Sequence, residues 1–170
     1  VNETYLRKLS LEDFHQLVFP YYQHITQNID FLELSLVLQP RLEKLKDIET
    51  MTDFINKPYP FDASLYTHKK MKTNPETSLK VLQLIEKHLK DFNNFTNDEL
   101  LVQLFINLAK ENGLKNGQVM WPIRVALTNK SLTPGGAVEI IHILGQDESL
   151  QRIHQAIIDL KSYIQKKEIE

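Results

Sequence analysis

Apolar residues recur at three- and four-residue spacing through almost the whole chain, and no stretch of useful length alternates them. In "NPETSLKVLQLIEKHLKDF", Leu79, Leu82, Ile85, Leu89 and Phe92 share a face only if the segment is helical. Asn74 stands where an N-cap belongs, and Pro75 at the first helical position, whose N–H a helix leaves unused. The same grammar repeats along the chain. "SLEDFHQLVFPYYQHI" opens on Ser10 with Asp13 three residues on, and carries Leu11, Phe14, Leu17 and Val18 as its stripe. "DFLELSLVLQPRLEKL" carries Phe31, Leu32, Leu34, Leu38 and Leu42, with Pro40 placed to end or kink the helix. "IETMTDFIN" reads as a shorter helix. "TNDELLVQLFINLAKENG" starts on a capping box, Thr96 to Glu99, and stops at Gly113. "SLQRIHQAIIDLKSYIQKK" is the last long helix, with a tail, "KKEIE", expected to fray.

The remaining pieces fit the same class. "QVMWPIRVAL" resembles a strand in composition, but Pro122 at its centre argues against a central one. Thr133 and Pro134 read as N-cap and first residue of a helix over 134–144. "KPYPF" reads as a rigid loop. The expected fold is all-α, more than half helix, in two packed helical subdomains. A soft boundary between "KDFNNF" and "TNDEL" divides the chain near residue 95, into 1–95 and 96–170.

Composition narrows what such a fold can do. A chain of 170 residues with 42% hydrophobic content has enough apolar side chains for a real core. Without Cys it has no disulfide, thiolate metal site or Cys nucleophile, which fits a reducing, cytoplasmic setting. No apolar run approaches the ~20 residues a membrane span needs. The chain begins at Val1 rather than Met and shows no charged-then-apolar leader, which reads as a piece of something longer. The net charge of −2 names no partner, but its distribution does more: residues 57–91 hold seven Lys against four acids. "THKKMK" lies in that span. It is either a solvated lysine face or a local phosphate-contacting patch.

Catalytic and metal motifs are missing from the sequence. "GG" at 135–136 lacks the Lys-Ser/Thr of a phosphate loop, and the six His show no helical zinc spacing. His142, on "EIIHIL", reads as a satisfied, partly buried imidazole. Acid pairs such as Asp98–Glu99 and Asp147–Glu148 are explained by helix N-termini. The conspicuous residue is Arg124, set between apolar neighbours in "WPIRVAL": it either points outward by helical geometry or anchors a binding surface. By composition and motif the chain reads as a binding module.

"NGQVMWPIRVALTNKSLTPGGAVEIIHILGQDESLQRIHQAI" resembles the C-terminal part of bacterial glutamyl-tRNA synthetases, with their Pro-Leu-Arg-x-Ala-Leu-Thr-Gly and Ser/Thr-Pro-Gly-Leu-Phe-Glu runs. "NETYLRKLSLEDFHQLVFPYY" and "LQPRLEKLKDI" are similar to earlier segments of the same family, so the resemblance runs from about residue 2 to residue 160. It implies an all-α anticodon-binding region, an α-helix cage. The family's two ATP-site motifs are absent; "HKKMK" at 68–72 is a chance echo. ATP and Mg are implied only for a catalytic domain outside this chain, and no cofactor is expected in it. The implied partners are tRNA-Glu and the catalytic domain of the same polypeptide, with a monomer expected.

The resemblance assigns roles residue by residue. Arg124 matches the base-contacting Arg of Pro-Leu-Arg; Thr133, Pro134 and Gly135 match the turn set against an anticodon base. Arg41 matches a position that discriminates the last anticodon base; otherwise it is a helix Arg paired with Glu43 or Asp47. Trp121 either packs in the core or stacks on a base. Asn129-Lys130 replace the usual Gly, with Asn suited to a left-handed C-cap and Lys130 adding a cation. Gly136 and Ala137 replace Leu-Phe, which removes a base-contacting side chain, and Ile106 stands where some relatives have Arg. Two other classes stay open: a helical protein-interaction module, and a small unrecognised enzyme.

Overall fold

The computed structural model describes residues 3–170; Val1 and Asn2, at the start of the resemblance, lie outside them. The α-helices are α1 (Glu3–Lys8), α2 (Leu11–Val18), α3 (Phe31–Leu38), α4 (Ile48–Thr52), α5 (Pro75–Leu89), α6 (Asp98–Glu111), α7 (Asn116–Thr128), α8 (Ala137–Leu144) and α9 (Gln146–Ile169). Helix, counting short 3-10 turns, takes up 68% of the chain. The nearest thing to a strand among the described residues is one isolated bridge, His68 to Thr73. The all-α expectation therefore holds.

Most of the expected caps are made. Ser10 accepts from the Asp13 N–H at 3.1 Å. Asn74 accepts from Thr77 N–H at 2.8 Å, while Thr77 Oγ1 accepts from the Asn74 N–H at 3.1 Å, closing a capping box. Four details depart from the sequence reading. The cap of α6 is Asn97 rather than Thr96: Asn97 Oδ1 accepts the Leu100 N–H at 3.1 Å, and an Asn caps at least as well as a Thr. Leu32 is half exposed, and Val37 takes its place in the core, because the stripe of α3 is rotated. The tail stays helical to Ile169. The α8 helix starts at Ala137 behind Gly136, so Thr133 is not its N-cap and Pro134 not its first residue.

The buried apolar side chains form one continuous cluster that runs from Leu6 and Phe14 through Leu82 and Phe105 to Ile140 and Leu160. The α5 helix packs chiefly on α9 and α7, and α8 joins α3, α6, α7 and α9. This arrangement brings the C-terminal end of α7, the loop 129–136 and the aromatic loop around Tyr59 to one face.

Candidate nucleic-acid interface

The candidate interface is organised around α7. Its apolar positions Val119, Ile123, Val125, Ala126 and Leu127 are buried, with Pro122 accommodated inside the helix. Arg124 and Trp121, one turn apart, are left at the edge of that face. The guanidinium of Arg124 lies 4.4 Å from the Trp121 ring centroid. Its Nη1 donates to Thr133 Oγ1 at 3.1 Å and its Nη2 to the Ser131 carbonyl at 2.8 Å. Burial lowers its pKa from the usual arginine value, although a guanidinium stays charged at neutral pH. Its Nε is buried and has no hydrogen-bond partner among the described residues. Arg124 thus fixes the loop following its own helix. Trp121 packs on the core, donates from Nε1 to the Leu65 carbonyl at 2.9 Å, and has Arg124 over its ring.

Beyond α7 the chain turns back at Asn129, whose φ of 53° is the left-handed C-cap expected of it. Thr133 is occupied by the loop itself. Its hydroxyl accepts from Arg124 and donates to the Gly135 carbonyl at 2.6 Å, which explains why it does not cap α8. A groove of about 630 Å³ opens beside this loop. Lys130, Leu132, Thr133 and Pro134 line it together with Tyr59 and Met51. Leu132 is 83% exposed, an apolar side chain that nothing in the fold explains.

Lys130 is not a free cation. Its Nζ donates to the Thr50 carbonyl at 2.8 Å, pairs with Asp53 at 3.2 Å and lies 5.0 Å from the Tyr59 ring centroid. Asp53 also accepts from the Tyr59 hydroxyl at 2.5 Å, and this bond pushes the phenol pKa up. Tyr59 is tied to the end of α7 through its N–H to the Thr128 carbonyl and its own carbonyl to Asn129 Nδ2.

Arg41 stands apart from that groove. It pairs with neither Glu43 nor Asp47. Nη1 donates to the Val37 carbonyl at 2.8 Å, and Nη2 reaches Glu139 of α8 at 3.2 Å. The same Glu139 oxygen accepts the Gly136 N–H at 3.1 Å, so Arg41 is anchored to the start of α8. Gly135 is buried against Val37. The structure therefore gathers Lys130, Thr133 and Pro134 on one groove, with Arg124 and Trp121 behind its lip. Arg41 and Gly135 sit at the α3–α8 junction.

Among the described residues one group could hold a cation: Glu33, Asp98 and His142 converge, with His142 Nδ1 at 2.8 Å from Asp98 and 3.3 Å from Glu33. These contacts make His142 a satisfied imidazole that fastens α8 to α3 and α6, while burial holds the Glu33 carboxyl above its ordinary range. Sequence reasoning missed Tyr59, Asp53, Leu132 and Glu139. The signals were there in part: two aromatics in "KPYPF" and a lone Leu in the polar loop "NKSLTPGG".

Comparison with known proteins assigns this architecture. The solved glutamate tRNA ligase of Elizabethkingia meningosepticum, in complex with its amino acid, superposes with a TM-score of 0.78 at 24% identity, over 94% of this chain and 31% of that one. The all-α fold is thus shared with part of that ligase. Residues 13–157 match the anticodon binding domain family, and the chain belongs to it. Among curated relatives, a glutamate–tRNA ligase of Clostridium acetobutylicum is 42% identical over 163 residues, and that of Clostridium kluyveri 43% over 162. Each alignment covers 95% of this chain but 33% of the relative, so the chain spans about a third of their length.

Proposed function

We propose that this chain is the anticodon-reading module of a glutamyl-tRNA synthetase and that its ligand is tRNA-Glu. The observation that carries the reading is Arg124: a half-buried guanidinium set over the ring of the sole Trp and bonded to the Ser131–Thr133 lip of a groove. Unpaired anticodon bases can be stacked and read along their edges, and a planar fork of donors suits both tasks. Arg124, Thr133, Pro134, Trp121 and Lys130 form one contact region in this reading, and Arg41 with Gly135 a second. Ligation itself, with ATP and Mg, belongs to a catalytic domain of the same polypeptide. The module is cytoplasmic and monomeric.

The test uses Trp121, 4.4 Å from Arg124, as its own fluorescent reporter. The chain is titrated with tRNA-Glu, tRNA-Gln and an unrelated tRNA at two salt concentrations. Tighter binding of tRNA-Glu is expected, and Arg124→Ala should lose about 1–3 kcal/mol in a manner that depends on the anticodon base. A loss equal for all three tRNAs would reduce Arg124 to a phosphate contact. No affinity for any tRNA would favour a second reading, a protein-interaction module, for which half-exposed Leu32 and Leu36 supply an apolar surface one turn apart on α3.

A further inference from the structure

The N-terminal end of α7 carries a basic corner. The segment His68–Thr73 is a tight turn closed by reciprocal backbone bonds of 3.2 Å, and it exposes Lys69, Lys70 and Lys72. None of the three makes an ion pair among the described residues. Lys72 holds a φ of 59°, so the turn has a fixed shape rather than a default one. It is also clamped in place. Gln118 Nε2 donates to the Lys72 carbonyl at 3.2 Å, while Gln118 Oε1 accepts from the Lys115 N–H at 2.9 Å. One amide side chain thereby sets the exposed Lys115 beside the lysine turn. Met71 packs on Gly117 so closely that a Cβ there would meet its sulfur at 2.6 Å. His68 accepts the Met71 N–H at 3.1 Å and sets its ring 4.2 Å from that of Trp121.

A continuous line therefore runs along α7: the lysine corner, His68, Trp121, Arg124 and the Thr133 loop. The helix has 13 residues and is about 20 Å long, room for about six nucleotides at a stacked spacing of roughly 3.4 Å. From this we infer that Lys69, Lys70, Lys72 and Lys115 hold the phosphate backbone of the RNA strand whose bases meet the other end of α7. The inference rests on the tRNA-binding reading above and adds a sequence-independent contact surface to it. The corner contributes charge without base edges, so it strengthens binding to every tRNA alike.

The experiment compares the wild-type chain with Lys69→Ala/Lys70→Ala/Lys72→Ala and with the charge-keeping Lys→Arg triple, across five salt concentrations and two tRNAs that differ in the anticodon. The alanine triple should lower affinity for both tRNAs by the same factor. It should also flatten the slope of log affinity against log salt by about 0.7 for each phosphate that is no longer neutralised, with selectivity unchanged. The arginine triple should keep the wild-type slope, and circular dichroism should show both variants folded. A wild-type slope in the alanine triple overturns the inference and leaves the anticodon reading intact, as does a loss confined to one tRNA. No tRNA affinity in the wild-type chain overturns both.

Discussion

The two adjacent glycines of the 133–136 turn have opposite surroundings. At Gly135, an added Cβ would sit 3.0 Å from Val37 Cγ1 and 3.2 Å from Glu139 Oε1, tight enough that the neighbours must give by a few tenths of an ångström. At Gly136 it would meet nothing, and a φ of −88° with ψ of −177° is the backbone an N-cap residue adopts. Gly135→Ala should therefore destabilise by about 1–3 kcal/mol. Gly136→Ser should be neutral or stabilise by roughly a few tenths of a kcal/mol, because a Ser hydroxyl can take an α8 N–H that Gly leaves free. Thermal unfolding of the two variants checks both signs; equal losses would refute the contrast. The capping pattern put residues 134–144 in a helix, and only the family resemblance marked Thr133, Pro134 and Gly135 as a turn, while Asn129 was legible as a left-handed C-cap. The sequence could not show which glycine was required sterically, because Val37 and Glu139 reach Gly135 from other helices.

Arg152 shows the limit of sequence reading at the scale of an element. In "SLQRIHQAI" it falls among helix residues whose charges usually face water, yet it is 4% exposed. Its Nη1 donates to the carbonyls of Phe54 and Leu127 at 2.7 and 2.8 Å, its Nη2 to that of Ile55 at 2.7 Å, and its Nε to Glu148 at 3.0 Å. One side chain of α9 thus ties the end of α7 to the 53–55 turn that carries Asp53. Since Asp53 anchors both Lys130 and Tyr59, the groove is held in shape from behind. Helix caps and stripes were legible because they act within a few residues. This clamp spans 98 residues of chain between Arg152 and Phe54, and periodicity carries no trace of it. Arg152→Met keeps the bulk but strands three buried carbonyls and a carboxylate. A destabilisation of about 3–5 kcal/mol is expected, read as a lowered denaturant midpoint. A change under about 1 kcal/mol would mean that water or a neighbouring side chain replaces the guanidinium.

At the scale of the molecule, the division near residue 95 has a content that unfolding can measure. The proposed halves, 1–95 and 96–170, meet across the packing of α5 on α9, the most extensive helix pair in the fold. Leu82, Ile85 and Leu89 of α5 are buried in the same cluster as Ile153, Ile157 and Leu160 of α9. Separating the halves would uncover part of this surface, and burial of each such side chain is worth roughly 1.5–3 kcal/mol. Even a part of the sum over these side chains is a large share of the whole stability of an ordinary domain, about 5–15 kcal/mol. Neither half should then outlast the other, and thermal unfolding should be one cooperative transition, coincident by far-ultraviolet circular dichroism and by Trp121 fluorescence. The two probes are well placed to disagree if it is not, because Trp121 lies in α7, within the second half, while dichroism averages every helix. A Trp121 transition displaced from the dichroism midpoint would show that the two sides of residue 95 unfold separately. One shared midpoint would make the proposed anticodon face, with Tyr59 on one side of residue 95 and Arg124 and Thr133 on the other, a property of a single folding unit.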